Sequence, residues 1–282
     1  KGPRMGQFVK YLLLCGAILL AAPVQAQTTT PQITQDVLLA LGIDDLILVM
    51  RREGLTEGAE LSKDIFSPGS KGAMGWQRKL DKIYDAERME ATMTQRFSDE
   101  LGAVDMTPIL IFLNSAGGRR LVALELSARQ AMTDPDVEDA ARAGYQSLRN
   151  TGDPRLALLE NFVTSNELVE ANVAGALNSK YAYYQGLRQA GALPMSDRQI
   201  INKVWSSEAK TQSDITEWIY GFLLMAYGPL DENVVAEYFA LSQTPAGRRM
   251  NTALFAGFDD MFREISFGLG LAMGWILRSQ EL

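Results

Sequence analysis

Apolar residues recur at helical spacing along nearly the whole 282-residue chain, and no stretch sustains the two-residue alternation of a half-buried strand. Val37, Leu38 and Leu41 fall on one stripe, and Leu46, Ile47, Val49 and Met50 on the next. A longer stripe of Leu80, Ile83, Tyr84, Met89, Met93 and Phe97 predicts one helix from Trp76 to Leu101. Helix-start signals agree with this pattern. Asp134-Pro135, Asp153-Pro154 and Thr244-Pro245 each set an N-cap side chain before a proline at the first helical position. Ser196-Asp197-Arg198-Gln199 has the order of a capping box, and Ser67 to Gly72 reads as a loop. The expectation is an all-α fold, a multi-helix array or bundle.

One motif occurs twice. Ser115-Ala116-Gly117-Gly118-Arg119-Arg120 returns 129 residues later as Thr244-Pro245-Ala246-Gly247-Arg248-Arg249. Around it Phe112 answers Leu241, Leu121 answers Met250, Leu126 answers Phe255 and Met132 answers Met261. Upstream, Gly102-Ala103-Val104-Asp105 answers Gly228-Pro229-Leu230-Asp231 if the second copy carries three extra residues. Met89, Met93, Phe97 and Leu101 then parallel Ile215, Ile219, Leu223 and Tyr227. The same order, long helix, Gly turn, short helix and capped Gly-Arg-Arg helix, predicts an internal duplication. Its copies span residues 27–150 and 151–282, either as two units or as one continuous helical domain.

The repeated motif is also the clearest candidate site. A hydroxyl at the N-cap, a glycine one turn in and two adjacent guanidinium groups describe a helix end suited to an anion. Ser115, Gly118, Arg119 and Arg120 form one such candidate, and Thr244, Gly247, Arg248 and Arg249 the other. The competing reading is structural. Glycine lets a neighbouring helix approach, while the arginines pair with acids such as Glu125 or Asp259.

Residues 1–26 have the layout of a secretory signal peptide: Lys1, Arg4 and Lys10, an apolar run from Tyr11 to Ala22, then Val24-Gln25-Ala26. Cleavage after Ala26 removes Cys15 and takes the net charge from −7 to −10, because three basic residues and no acid leave with it. The expected location is a bacterial periplasm. With no histidine in the chain and no cysteine beyond the leader, Ser-His-Asp and Cys-His nucleophiles, His-ligated zinc and disulfides are excluded. The acidic balance disfavours nucleic acid.

Other patterns point to no catalytic residue, metal or cofactor. Asp134, Asp136, Glu138 and Asp139 resemble a calcium loop, but Asp139 stands where glycine is needed and Tyr145 where glutamate is needed. Gly268-Leu269-Gly270-Leu271-Ala272-Met273-Gly274 follows no strand, so its small residues suit close helix packing rather than a dinucleotide. Glu87 with Glu90, and Asp260 with Glu264, share helix faces as paired acids do in glycoside hydrolysis, or as solvated faces do. Tyr181, Tyr183, Tyr184, Trp205 and Trp218 line a groove or belong to the core.

A short helix with an aromatic residue, then Ser/Thr, two residues, Gly and a basic residue resembles the bacterial domain of unknown function 2059. Phe112, Ser115, Gly118 and Arg119 carry the resemblance in the first copy, and Tyr238, Thr244, Pro245, Gly247 and Arg248 in the second. Ala116 stands where proline is usual, and three extra residues precede Thr244. The resemblance implies a secreted helical protein of a Gram-negative bacterium and assigns no catalytic residue. The functional expectation is a non-enzymatic module that binds a periplasmic protein or an anionic small ligand through grooves between helices. The rival expectations are a carboxylate-based cell-wall hydrolase and a peripheral membrane protein that uses residues 265–277.

Overall fold

Capped helix starts and short turns divide the chain into thirteen helices across residues 30–67 and 69–280, which the computed structural model describes. The first run is α1 (Thr30–Ala40), α2 (Ile43–Ile65), α3 (Lys71–Ile83), α4 (Ala86–Leu101), α5 (Thr107–Leu113), α6 (Ala116–Ala131) and α7 (Pro135–Leu148). The second is α8 (Pro154–Ser165), α9 (Leu168–Gln189), α10 (Asp197–Trp205), α11 (Glu208–Tyr227), α12 (Glu232–Ser242) and α13 (Pro245–Gln280). No strand occurs among the described residues, and the fold is all-α. Residues 1–26, which read as a leader in the sequence, lie outside the described residues, Cys15 among them.

The helix expected over residues 76–101 is two helices. Tyr84 leaves the α-region at φ −96° and ψ 37°, and Asp85 caps α4 by accepting from the Arg88 amide at 2.9 Å. Arg51 Nε takes the Tyr84 carbonyl at 2.8 Å, satisfying an acceptor at the end of α3. The apolar stripe runs in phase through the break, so periodicity alone does not reveal it. The caps predicted at five other helix starts are present. Asp134, Asp153, Ser115 and Thr244 each accept a first-turn amide, and Ser196 with Gln199 completes a capping box.

Two long helices organise the packing. α13 lies along α9 and α4, and α11 lies along α7, α6 and α9. The α9–α13 contact is close because glycines face backbone. A Cβ on Gly270 would stand 2.0 Å from the Tyr183 oxygen, and one on Gly186 would stand 2.3 Å from the Phe267 oxygen. Gly274 meets Ala190 in the same seam. The small-residue run therefore serves helix packing. One contiguous cluster of buried apolar side chains joins both halves, with Trp76, Phe97, Phe162, Trp218 and Tyr238 among its largest members. Between Ile265 and Ile276 most residues are buried, with Trp275 exposed.

Candidate functional site

The twin motifs have matching local geometry. Ser115 Oγ accepts from Gly118 N at 3.0 Å, and Thr244 Oγ1 accepts from Gly247 N at 3.0 Å. The third amide of each helix is thus occupied by the cap rather than bare. Each glycine lies against the last turn of the preceding helix, Gly118 on the Phe112 carbonyl and Gly247 on the Leu241 carbonyl. The guanidinium groups diverge. Arg119 donates to the Asn114 carbonyl at the end of α5, and Arg120 to the Pro229 carbonyl at 3.1 Å in the turn before α12. Arg249 stands 3.7 Å from Glu100 on α4, and Arg248 is exposed. None of the four pairs with Glu125 or Asp259 among the described contacts; those acids have other partners.

Glu125 is buried on α6 and accepts the hydroxyls of Tyr227 and Tyr238 on the same oxygen, Oε1, at 2.5 and 2.9 Å. Its Oε2 has no hydrogen-bond partner. Burial pushes this carboxyl up to about 8, although the two tyrosine hydroxyls pull the other way. Asp259 is raised mainly by burial, with Asn178 Nδ2 donating at 3.0 Å and Arg263 nearby. Asp260 pairs with Arg263 and Arg96, and Glu264 with Arg88. Glu87 and Glu90 are exposed. Each carboxylate of the Asp260 and Glu264 pair therefore faces an arginine rather than a second acid.

Two further clusters were not singled out by sequence reasoning. Arg129, buried on α6, forms a bidentate pair with Glu53 on α2 and lies 5.6 Å over the Trp218 ring. Lys180 Nζ donates to Thr211 Oγ1 at 2.6 Å and Ser207 Oγ at 3.2 Å, and burial lowers its pKa. Of the expected aromatic groove, Trp218 is core, Trp205 is exposed, and Tyr181, Tyr183 and Tyr184 are half-buried.

A concave site lies elsewhere among the described residues, where the start of α4 and the end of α3 meet the middle of α13. A cleft of about 250 Å³ is lined there by Ile83, Met89, Met261, Ile265, Phe267 and Leu271. Gly268 helps keep it open, since a Cβ at that position would stand 3.3 Å from Ile83. Arg88, Thr92 and Glu264 give it one polar edge. There Glu264 Oε2 accepts from Arg88 Nη2 at 2.9 Å and Nε at 3.2 Å, and from Thr92 Oγ1 at 3.5 Å. Apolar walls with a few convergent polar groups suit a small amphipathic molecule. Met89 and Met261 supply adaptable wall atoms. Among the described residues, no group of acidic side chains is placed to hold a metal ion.

Set against known proteins, the chain matches no family profile, no curated protein and no solved structure. The resemblance to the domain of unknown function 2059 therefore rests on the motif residues alone.

Proposed function

We propose that this chain is an exported, non-enzymatic helical module that binds a small amphipathic ligand in the cleft between α4 and α13. The observation that carries this reading is the lining itself, apolar throughout except for the Arg88, Thr92 and Glu264 edge. The acids beside the cleft are engaged by arginines, which suits orientation of a polar head better than acid–base hydrolysis. Export to a periplasm is supported by the layout of residues 1–26.

We further propose that the module arose by duplication of one helical unit. Residues equated through the twin motif share their burial: Leu121 and Met250 are each 0% exposed, as are Met93 with Ile219 and Phe97 with Leu223. Left-handed residues precede the second helix of each half, Gly42 at φ 65° before α2 and Glu167 at φ 51° before α9. The second arginine of each motif reaches into the other half, Arg120 to Pro229 and Arg249 to Glu100.

The ligand reading is tested by purifying the protein from its periplasm and extracting it for mass spectrometry. The expected result is a single-chain amphiphile released by the parent and absent from Thr92→Trp, whose indole fills the cleft. A parent that carries no such molecule, and that is not stabilised by any of a panel of fatty acids and lysolipids, contradicts it.

A further inference from the structure

We propose that the outer face of α3, together with Trp275 of α13, docks on an anionic lipid surface. Lys71, Met74, Arg78 and Lys82 stand at i, i+3, i+7 and i+11, a spacing that places them on one stripe of a helix. All four are exposed. Lys79 flanks the stripe, with its Nζ 4.8 Å over the Trp275 ring. Beside this basic stripe, under Lys79, Trp275 is 52% exposed, and within the stripe Met74 is 49% exposed. Asp81 is the one acid in α3 against four cations, and none of the four joins an ion pair among the described residues.

Charge selects the partner. The chain carries −7 overall, so a local cluster of cations with no acid partner among the described residues draws an anionic surface to this face while the remaining surface repels it. The large apolar groups decide between anionic partners. An exposed indole beside lysines matches the headgroup level of a bilayer, where the ring is half-wet and the cations meet phosphates. No helix among the described residues is long and apolar enough to cross a membrane, so the contact is with the surface. The sequence expectation placed such a contact on residues 265–277 alone. Most of that stretch is buried, and α3 supplies the basic residues. Neither Trp275 nor the α3 cations line the α4–α13 cleft, so this surface stands or falls apart from the ligand reading.

Co-sedimentation of the full chain with sucrose-loaded vesicles tests it, using phosphatidylcholine alone and phosphatidylcholine with phosphatidylglycerol. A Trp205→Phe background leaves Trp275 as the exposed reporter, because Trp76 and Trp218 are 2% and 0% exposed. The expected result is pelleting with the anionic vesicles only, release by salt, and a blue shift of Trp275 emission. Lys71→Glu with Arg78→Glu and Lys82→Glu weakens pelleting more than roughly tenfold while the melting curve is unchanged. The proposal is overturned by pelleting with neither vesicle, by equal pelleting of the charge-reversed protein, or by unshifted Trp275 emission. Equal binding of soluble polyglutamate also overturns it, reassigning the face to an acidic polypeptide.

Discussion

A Cβ on Gly118 would stand 2.1 Å from the carbonyl oxygen of Phe112, and the second motif repeats the relation between Gly247 and Leu241 at 2.1 Å. The obstacle is backbone, which cannot rotate away as a side chain can. Gly118→Ala and Gly247→Ala should therefore each cost roughly 2–3 kcal/mol, read as lower urea midpoints at unchanged slope. Gly144 in α7 has nothing within 4 Å of a Cβ. Gly144→Ala should shift the midpoint upward, by about 0.5–1 kcal/mol.

Glu125 makes stability depend on pH. Its carboxyl holds a proton up to about 8 in the fold, against an ordinary value of 4.5 for the unfolded chain. A raised folded-state value means the native state binds the proton more tightly. Its contribution is full below pH 4.5 and is lost as pH rises to about 8. Urea unfolding across that range should show a falling midpoint. Glu125→Gln removes this slope, and an unchanged slope in the variant would falsify the assignment to Glu125.

Arg129 and Glu53 are 4% and 13% exposed at their side chains, and neither is easily rehydrated. Glu53→Ala strands a buried guanidinium over Trp218 and should cost about 3–5 kcal/mol. The double variant Glu53→Leu with Arg129→Met should cost less than Glu53→Ala alone, because it removes both charges from the interior. Equilibrium unfolding of the three proteins decides this.

Arg119, Arg120 and Arg249 reach separate partners rather than converging. Arg120→Gln and Arg249→Gln, both at exposed sites, should each lower stability by less than ~1 kcal/mol. Titrating phosphate while following the melting temperature tests the anion-site expectation for the same residues. The diverging guanidinium groups predict no saturable shift. A shift present in the parent and absent from Arg119→Gln or Arg248→Gln would identify an anion site.

Helix class and the starts of α6, α7, α8, α10 and α13 were legible because they depend on local chemistry, namely apolar spacing and the side chain at the N-cap. The break at Tyr84–Asp85 was hidden because Leu80, Tyr84 and Met89 remain on the core side of both helices. Asp85 was its only local signal. Glu125 also left a trace: Leu121, Glu125, Ala128 and Met132 fall on one buried stripe of α6 or its end, so a charged residue stood at a core position. Its tyrosine partners lie more than a hundred positions away, at Tyr227 and Tyr238, and spacing cannot pair them. The cleft was the least legible feature. Met89 and Met261 read as ordinary core positions, and the space between them depends on how α13 lies against α4 with Gly268 facing Ile83.

The most direct test of the binding module is an equilibrium titration with the uncharged fluorophore N-phenyl-1-naphthylamine, competed with a fatty acid. The parent should enhance the emission saturably at one site, and the fatty acid should displace the probe. Thr92→Trp and Leu271→Trp, which fill the cleft from opposite walls, should abolish the enhancement while melting as the parent does. A parent that leaves the probe dark, or filled variants that bind it as tightly as the parent, would contradict the account.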